Sequence, residues 1–183
     1  MTSTVVSPTG TSATDPRLIL REEELDAALE TLLLAEASLW MVADEVLATE
    51  PSCTGPAAAG PTLGRGHFRA ALLLKRRPGL GVQDLARLTG LSKQGASRVL
   101  KDLVNAGHAA PVAEGDADGR RRPMTLTAKG AAFEDRVASR MRARLARAYR
   151  DGGLEAVPGA RRIFAALAGT RNLRASEPSG EAV

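Results

Sequence analysis

Residues 82–107 read VQDLARLTGLSKQGASRVLKDLVNAG, and this stretch carries the clearest structural signal in the chain. It predicts a short helix with Leu85 and Leu88 on its apolar side. Gly90 is expected to end that helix, because a glycine adopts the left-handed turn without a steric penalty. Ser92 is placed to cap a second helix. The pattern is therefore that of a helix-turn-helix.

The second predicted helix, residues 92–105, has two different faces. Val99, Leu100 and Leu103 are expected to anchor it to the core. The polar side chains expected to face outward are Lys93, Gln94, Ser97, Arg98 and Lys101. Such a face fits the major groove of duplex DNA, where Arg, Gln and Ser address base edges and Lys neutralises phosphate. These five residues and Ser92 are the first DNA-binding candidates.

Two short extended segments follow, residues 108–113 and 123–126. They flank a turn-rich loop, residues 114–122, which reads EGDADGRRR. This arrangement predicts a β-hairpin with a long basic tip. A helix-turn-helix followed by such a hairpin is typical of a winged helix, so the predicted fold is mainly α with a small β-hairpin wing.

Long helices are predicted on both sides of this winged domain. Between residues 20 and 48, apolar residues recur every three or four positions, as in an amphipathic helix. Such a helix spans roughly 40 Å at about 1.5 Å per residue, more than a small domain covers, so it is expected to need a partner. Thr127 is placed to cap an arginine-rich helix that runs to Arg150, and residues 154–168 predict a last short helix.

The net charge of +4 hides a strong asymmetry along the chain. Residues 1–64 hold 2 basic and 10 acidic groups, residues 65–150 hold 19 and 7, and residues 151–183 hold 4 of each. A basic block in a chain with an isoelectric point near 9.8 favours a polyanionic partner, of which nucleic acid is the commonest. A solvated arginine-rich surface is the alternative explanation.

Other functional classes find little support in the residues. The chain has only His67 and His108 as histidines, and no paired carboxylates or phosphate-binding glycine loop stand in a convincing context, so neither an enzyme nor a cofactor is expected. The single cysteine excludes an internal disulfide, and no metal-ligand spacing is present. No stretch resembles a signal peptide or approaches the roughly 18 apolar residues of a membrane span, which predicts a cytoplasmic, nucleoid-associated protein without a membrane partner.

The sequence resembles the MarR family of winged-helix regulators over about residues 20–169. In that family the wing reads Asp, any residue, Arg, three residues, an apolar residue leading into Leu-Thr, and then Gly. The matching positions here are Asp118, Arg120, Met124, Leu126, Thr127 and Gly130. Residues 63–67 (LGRGH) and 78–80 (PGL) also resemble the PetP-like branch of the family.

The resemblance implies a transcriptional regulator that binds a near-palindromic operator in double-stranded DNA as a homodimer. Ser97 and Arg98 fall on recognition-helix positions that meet DNA. Arg120 falls on the wing-tip arginine that enters the minor groove, and Asp118 is expected to orient it. The neighbouring arginines Arg121 and Arg122 complete the DNA-binding candidates.

A cleft that binds a small-molecule effector is also implied, with Trp40, His67 and Phe68 as the candidate lining residues. The segment 50–66 departs from the family, because it is longer and richer in Pro and Gly than usual. Gly95 is a second departure, since a glycine inside a helix costs about 1 kcal/mol relative to alanine. The alternative function is a winged-helix protein-interaction module, or a non-specific DNA-binding protein without effector control.

The predicted organisation follows from these assignments. Its segments are a disordered tail (1–17), an N-terminal dimerisation helix (18–49), a Pro/Gly-rich loop (50–64), a winged helix-turn-helix domain (65–130), C-terminal dimerisation helices (131–171) and a flexible tail (172–183).

Overall fold

The computed structural model describes residues 21–50, 62–112 and 123–169. Within these ranges the elements are α1 (Glu22–Leu47), α2 (Arg65–Arg76), α3 (Val82–Thr89), α4 (Lys93–Asn105), β1 (Ala109–Pro111), β2 (Met124–Leu126), α5 (Ala128–Gly152) and α6 (Ala156–Leu167). The described residues up to Leu39 belong to one compact unit, and those from Trp40 onward belong to another. None of the described helices has the length and apolar character needed to cross a membrane.

The first unit contains the N-terminal part of α1. Its first turn carries Glu22, Glu23 and Glu24, whose negative charges suit the positive end of the helix dipole. Five leucines of this part are between 40% and 64% exposed, namely Leu25, Leu29, Leu32, Leu33 and Leu34. The predicted helix is present, and its apolar side chains lie on the surface of the chain.

The second unit is built around α2, which packs against α3, α4 and α5. The buried core contains apolar side chains from each of these helices and from the end of α1. They include Trp40, Ala43, Leu47, Phe68, Ala71, Leu74, Leu85, Ala96, Leu100, Leu103, Phe133 and Val137. Full burial of one Leu or Phe side chain stabilises a fold by about 1.5–3 kcal/mol, so this cluster holds the helices together.

The helix-turn-helix has the geometry that its sequence predicts. Gly90 follows α3 in the left-handed conformation, with φ 73°. The hydroxyl of Ser92 accepts a hydrogen bond from the backbone N–H of Gly95 at 3.0 Å and so caps α4. Both the turn and the cap are confirmed.

The end of α4 is closed by a Schellman motif. Gly107 is left-handed with φ 71°, and its N–H donates to the carbonyl of Val104 at 2.9 Å. The N–H of His108 donates to the carbonyl of Leu103 at 2.7 Å. These two bonds satisfy the last carbonyls of the helix and direct the chain into β1.

The wing is an antiparallel pair in which Ala109, Ala110 and Pro111 face Leu126, Thr125 and Met124. Leu80, in the turn before α3, forms an additional bridge to Met124. The strands are shorter than the predicted segments 108–113 and 123–126, although the N–H of Val112 still donates to the carbonyl of Pro123 at 2.9 Å. The predicted basic tip lies outside the described residues.

The two C-terminal helices follow the wing directly. The hydroxyl of Thr127 accepts a hydrogen bond from the N–H of Gly130 at 3.1 Å, which confirms the predicted cap of α5. In the segment 154–167, four large apolar side chains are 47–88% exposed, namely Leu154, Ile163, Phe164 and Leu167.

Candidate nucleic-acid interface

The predicted DNA-contacting residues of α4 lie together on its exposed face. Ser92, Lys93, Gln94, Ser97, Arg98 and Lys101 are all exposed. Lys93, Ser97 and Lys101 are four residues apart and form one row, and Gln94 and Arg98 form the adjacent row. Ala96, Leu100 and Leu103 are buried on the opposite side. The helix therefore presents a basic and polar face outward while its apolar face holds it to the core, and we call α4 the recognition helix.

The first turn of α2 packs against the middle of the recognition helix. A Cβ atom at Gly66 would lie 3.5 Å from Cγ2 of Val99, so the two helices are close neighbours there. Next to this contact, Nε2 of His67 lies 3.3 Å from Oδ2 of Asp102. The other ring nitrogen, Nδ1, accepts a hydrogen bond from the N–H of Gly64 at 2.9 Å. His67 thus caps α2 and contacts the recognition helix at the same time.

The start of α5 is joined to the end of the recognition helix. The ammonium group of Lys129 donates to the carbonyl of Ala106 at 2.8 Å. The hydroxyl of Thr127 donates to the carbonyl of Gly107 at 2.7 Å. Because carbonyl groups at a helix C-terminus carry partial negative charge, a lysine is favourable there. The recognition helix is therefore held at its middle by α2 and at its end by α5.

Comparison with known proteins decides the family. The sequence pattern of the MarR family matches residues 62–122. Over 162 residues the chain is 31% identical to the HTH-type transcriptional regulator PetP of Rhodobacter capsulatus, a match that covers 88% of this chain and 90% of PetP. The chain belongs to the MarR family. It is a MarR-type transcriptional regulator, and the predicted resemblance to PetP is confirmed.

Solved structures of MarR proteins have the same fold. A MarR family protein of Mycobacterium tuberculosis, in complex with DNA, is 27% identical to this chain and gives a TM-score of 0.51, covering 75% of this chain and 94% of that protein. In complex with p-aminosalicylic acid, the same protein is 27% identical and gives a TM-score of 0.52, covering 75% and 95%. The predicted fold class, a winged helix-turn-helix with long flanking helices, is confirmed.

Trp40 and Phe68, two of the predicted effector residues of this MarR regulator, are core residues that contact each other. They are 7% and 2% exposed, and their ring centroids are 6.2 Å apart in an edge-to-face arrangement. The guanidinium carbons of Arg65 and Arg69 lie 5.2 Å and 4.7 Å from the centroid of the Trp40 ring. Arg65 also donates to Asp44, and this hydrogen bond holds the pKa of Asp44 below its usual value. The guanidinium groups of Arg65 and Arg69 therefore both lie within cation–π distance of the Trp40 ring.

Two carboxylates of the MarR regulator are buried and paired with cations from distant parts of the chain. Glu50 was predicted as the first residue of the loop, yet it accepts two hydrogen bonds of 2.7 Å from Arg136. This pairing raises the pKa of Arg136. Glu134 is likewise buried and accepts a hydrogen bond from Lys75. Because an unpaired buried charge is strongly destabilising, these pairs fix α5 against α2 and the end of α1.

His108 is a buried residue for which no role was predicted from the sequence. Its ring is tilted against that of Phe133, with centroids 5.2 Å apart. Neither ring nitrogen has good hydrogen-bonding geometry toward any described residue. Burial lowers the pKa of His108 below its ordinary value of 6.5. Burial therefore favours the neutral form of the imidazole.

The wing-tip candidates of this MarR regulator, Asp118, Arg120, Arg121 and Arg122, lie outside the described residues, as does the single cysteine, Cys53. Among the residues that are described, no group of three or more His, Cys, Asp or Glu side chains is arranged to hold a metal ion.

Proposed function

We propose that this regulator binds a near-palindromic operator in double-stranded DNA as a homodimer, in the cytoplasm at the nucleoid. The observation that carries the proposal is the recognition helix, whose basic and polar face is exposed while its apolar face is buried. Arg and Gln side chains on such a face can address base edges in the major groove, and lysines can neutralise phosphates. The DNA complex of the mycobacterial relative supports this reading.

The wing is proposed to contribute a second contact. On the family pattern, Arg120 enters the minor groove, Asp118 orients it, and Arg121 and Arg122 reach nearby phosphates. Readout in the minor groove is degenerate and depends largely on groove width. We therefore expect the wing to add affinity for many sequences and the recognition helix to supply most of the discrimination.

The test compares Arg98→Ala with a matched loss of charge elsewhere. The operator is first recovered by immunoprecipitating the protein with its chromosomal DNA and sequencing that DNA. A base contact contributes about 1–3 kcal/mol of discrimination, so Arg98→Ala should weaken operator binding by roughly tenfold or more. Binding to unrelated duplex should change much less. Fluorescence anisotropy with both DNAs measures the two affinities.

Arg147→Ala is the control, because the Arg147 side chain is 73% exposed near the C-terminal end of α5, whereas the recognition helix is joined to the start of α5 through Lys129. It should leave the ratio of the two affinities unchanged. An Arg98→Ala protein that keeps the wild-type ratio would contradict base readout by this helix. A wild-type protein that shows no salt-dependent DNA binding would favour the protein-interaction alternative instead.

A second proposed function is control by an aromatic carboxylate. The mycobacterial relative was solved in complex with salicylic acid and p-aminosalicylic acid. In this chain, Trp40, His67 and Phe68 are proposed to line the site, and the guanidinium group of Arg69, 4.7 Å from the centroid of the Trp40 ring, is proposed to bind the carboxylate.

Intrinsic fluorescence tests this second proposal, because Trp40 is the only tryptophan in the chain. Titration with salicylate should change its emission with saturation and should release operator DNA over the same concentration range. Salicylamide, which lacks the carboxylate charge, should act much more weakly. If salicylate produces no saturable change, this effector class is wrong.

A further inference from the structure

We propose that His67 is a positioning residue for operator recognition, because it fixes the recognition helix through a hydrogen bond to Asp102. The inference rests on the proposed role of the recognition helix in reading DNA. It gives His67 a function that does not depend on contact with an effector.

The hydrogen bonds of His67 define which ring nitrogen carries the proton. Nδ1 accepts from the N–H of Gly64 at 2.9 Å and therefore bears no hydrogen of its own. In the neutral ring the hydrogen is then on Nε2, which lies 3.3 Å from Oδ2 of Asp102 and donates to it. The two side chains are 14% and 24% exposed, so the link is largely shielded from water, which strengthens it.

The link acts at a position where it controls rotation of the recognition helix. Asp102 follows Val99 by three residues, so both lie on the side that faces α2, and Val99 is the residue next to Gly66. Two contacts one turn apart fix the orientation of a helix about its axis. Arg98 directly precedes Val99, and Lys101 directly precedes Asp102. The direction in which the Arg98 and Lys101 side chains point therefore depends on the rotation of the recognition helix about its axis.

A small rotation would be enough to disturb base readout. Turning a helix of radius about 5 Å by about 10° moves a side chain on its rim by ~1 Å. Binding groups must be held within about 0.5 Å of their productive geometry. Loss of the link should therefore reduce discrimination between DNA sequences, whereas attraction to phosphates, which tolerates such shifts, should change little.

Three substitutions at position 67 separate the cap of α2 from the link to the recognition helix. His67→Gln keeps both, because an amide has an acceptor for the Gly64 N–H and a donor for Asp102. His67→Glu keeps the cap, since glutamate is a usual capping residue at this position, but it replaces the donor with a second carboxylate facing Asp102. His67→Ala removes both interactions.

A double substitution tests the link directly. In His67→Glu with Asp102→Asn, the asparagine amide can donate to the introduced carboxylate, which restores the hydrogen bond with its direction reversed. Asp102→Asn also removes a negative charge near DNA, so its effect on affinity must be separated from its effect on discrimination. Asp84→Asn in α3 is the matched control for this change of charge, because Asp84 pairs with Arg87 within its own helix.

The measured quantity is the ratio of affinities for the operator and for unrelated duplex. His67→Glu should lower this ratio about tenfold, which corresponds to about 1.4 kcal/mol, while His67→Gln should stay within about threefold of wild type. The double variant should recover most of the loss. Asp84→Asn should raise both affinities and leave the ratio unchanged. Circular dichroism melting confirms that each variant is folded, and the comparison of Glu with Gln holds even if His67→Ala unfolds.

If His67→Glu leaves the ratio of the two affinities unchanged, the inference is wrong. It is also wrong if the ratio falls in His67→Glu and is not restored by the added Asp102→Asn substitution, because His67 would then have a structural role only. These results differ from failure of the proposed function. In that case the wild-type protein itself would bind the operator no better than unrelated duplex, and the inference would fall with it.

Discussion

His108 is a titratable residue that the proposed function does not use, and it makes the stability of the fold sensitive to acid. Burial holds its pKa below 6.5, and the charges of Lys129 and Arg136 act in the same direction, whereas a contact with the backbone of Lys129 and the charge of Glu50 act to raise it. The unfolded chain therefore takes up a proton more readily than the folded chain. Below pH 6.5 the unfolded state holds more protons, so the free energy of unfolding falls as the pH falls.

We expect His108→Leu to reduce this sensitivity, because leucine has a similar size and no proton to gain. When the pH is lowered from ~7.5 to ~5.5, the free energy of unfolding of the wild type should fall, and His108 should account for at most about 1.4 kcal/mol of this fall per pH unit. The free energy of unfolding of the variant should fall less. Urea unfolding followed by circular dichroism measures both proteins at both pH values. Equal losses would show that His108 does not titrate in this range.

The joint between the recognition helix and α5 depends on a glycine at the start of α5. A Cβ atom at Gly130 would lie 2.8 Å from the carbonyl carbon of His108 and even closer to its oxygen. The same carbonyl accepts a hydrogen bond from the N–H of Thr127 at 3.1 Å. A larger residue at position 130 must therefore push α5 away from the end of the recognition helix.

Gly130→Ala should destabilise the protein by about 1–3 kcal/mol, the usual cost of overpacking. Gly159→Ala in α6 is the control, because a Cβ atom there meets nothing within 4 Å. That substitution should be neutral or stabilise by up to about 1 kcal/mol, as the helix propensities of the two residues predict. Thermal unfolding distinguishes the two variants, and a Gly130→Ala protein as stable as the wild type would mean that the joint is not tightly packed.

Short-range features of the helices could be predicted from the sequence because their causes are local. Ser92 and Thr127 cap their helices through an N–H three residues ahead, and Gly90 turns the chain at its own position. The exposed face of the recognition helix could be predicted for the same reason, since helical spacing sets which side chains share a side. Gly130 appeared in the family pattern, but its cause, the carbonyl of His108, became visible only in the fold.

Long-range pairs could not be predicted, because their partners are brought together only by tertiary packing. Glu50 and Arg136 are 86 residues apart, and Lys75 and Glu134 are 59 apart. Arg136 is one of several arginines in the predicted arginine-rich helix, and nothing local distinguishes it from the others. The link from His67 to Asp102 was missed for the same reason.

At the scale of the whole molecule, large apolar side chains are exposed on two helices, α1 and α6. Soluble monomers seldom expose continuous apolar patches larger than a few hundred Å². Here Leu25, Leu29, Leu32 and Leu33 are exposed on α1, and Ile163, Phe164 and Leu167 are exposed on α6. We expect a second copy of the chain to cover these side chains. A twofold dimer would present two recognition helices about one turn of DNA apart, as a near-palindromic operator requires.

Leu29→Glu should therefore shift the protein from dimer to monomer without unfolding it, because Leu29 is 56% exposed and lies outside the buried core. Leu34→Glu is the matched control, since Leu34 is 64% exposed but lies on the other side of the helix from the centre of the leucine stripe at 3.6 residues per turn. Light scattering at micromolar concentration should give twice the chain mass of 19.1 kDa for the wild type and for Leu34→Glu, and the single mass for Leu29→Glu.

Because monomers bind the two half-sites of the operator independently, Leu29→Glu should also lose most of its operator affinity and protect about half of the roughly 20 base pairs expected for the dimer. A wild-type protein of single mass, or a Leu29→Glu protein that remains dimeric, would contradict a dimer formed through this face of α1.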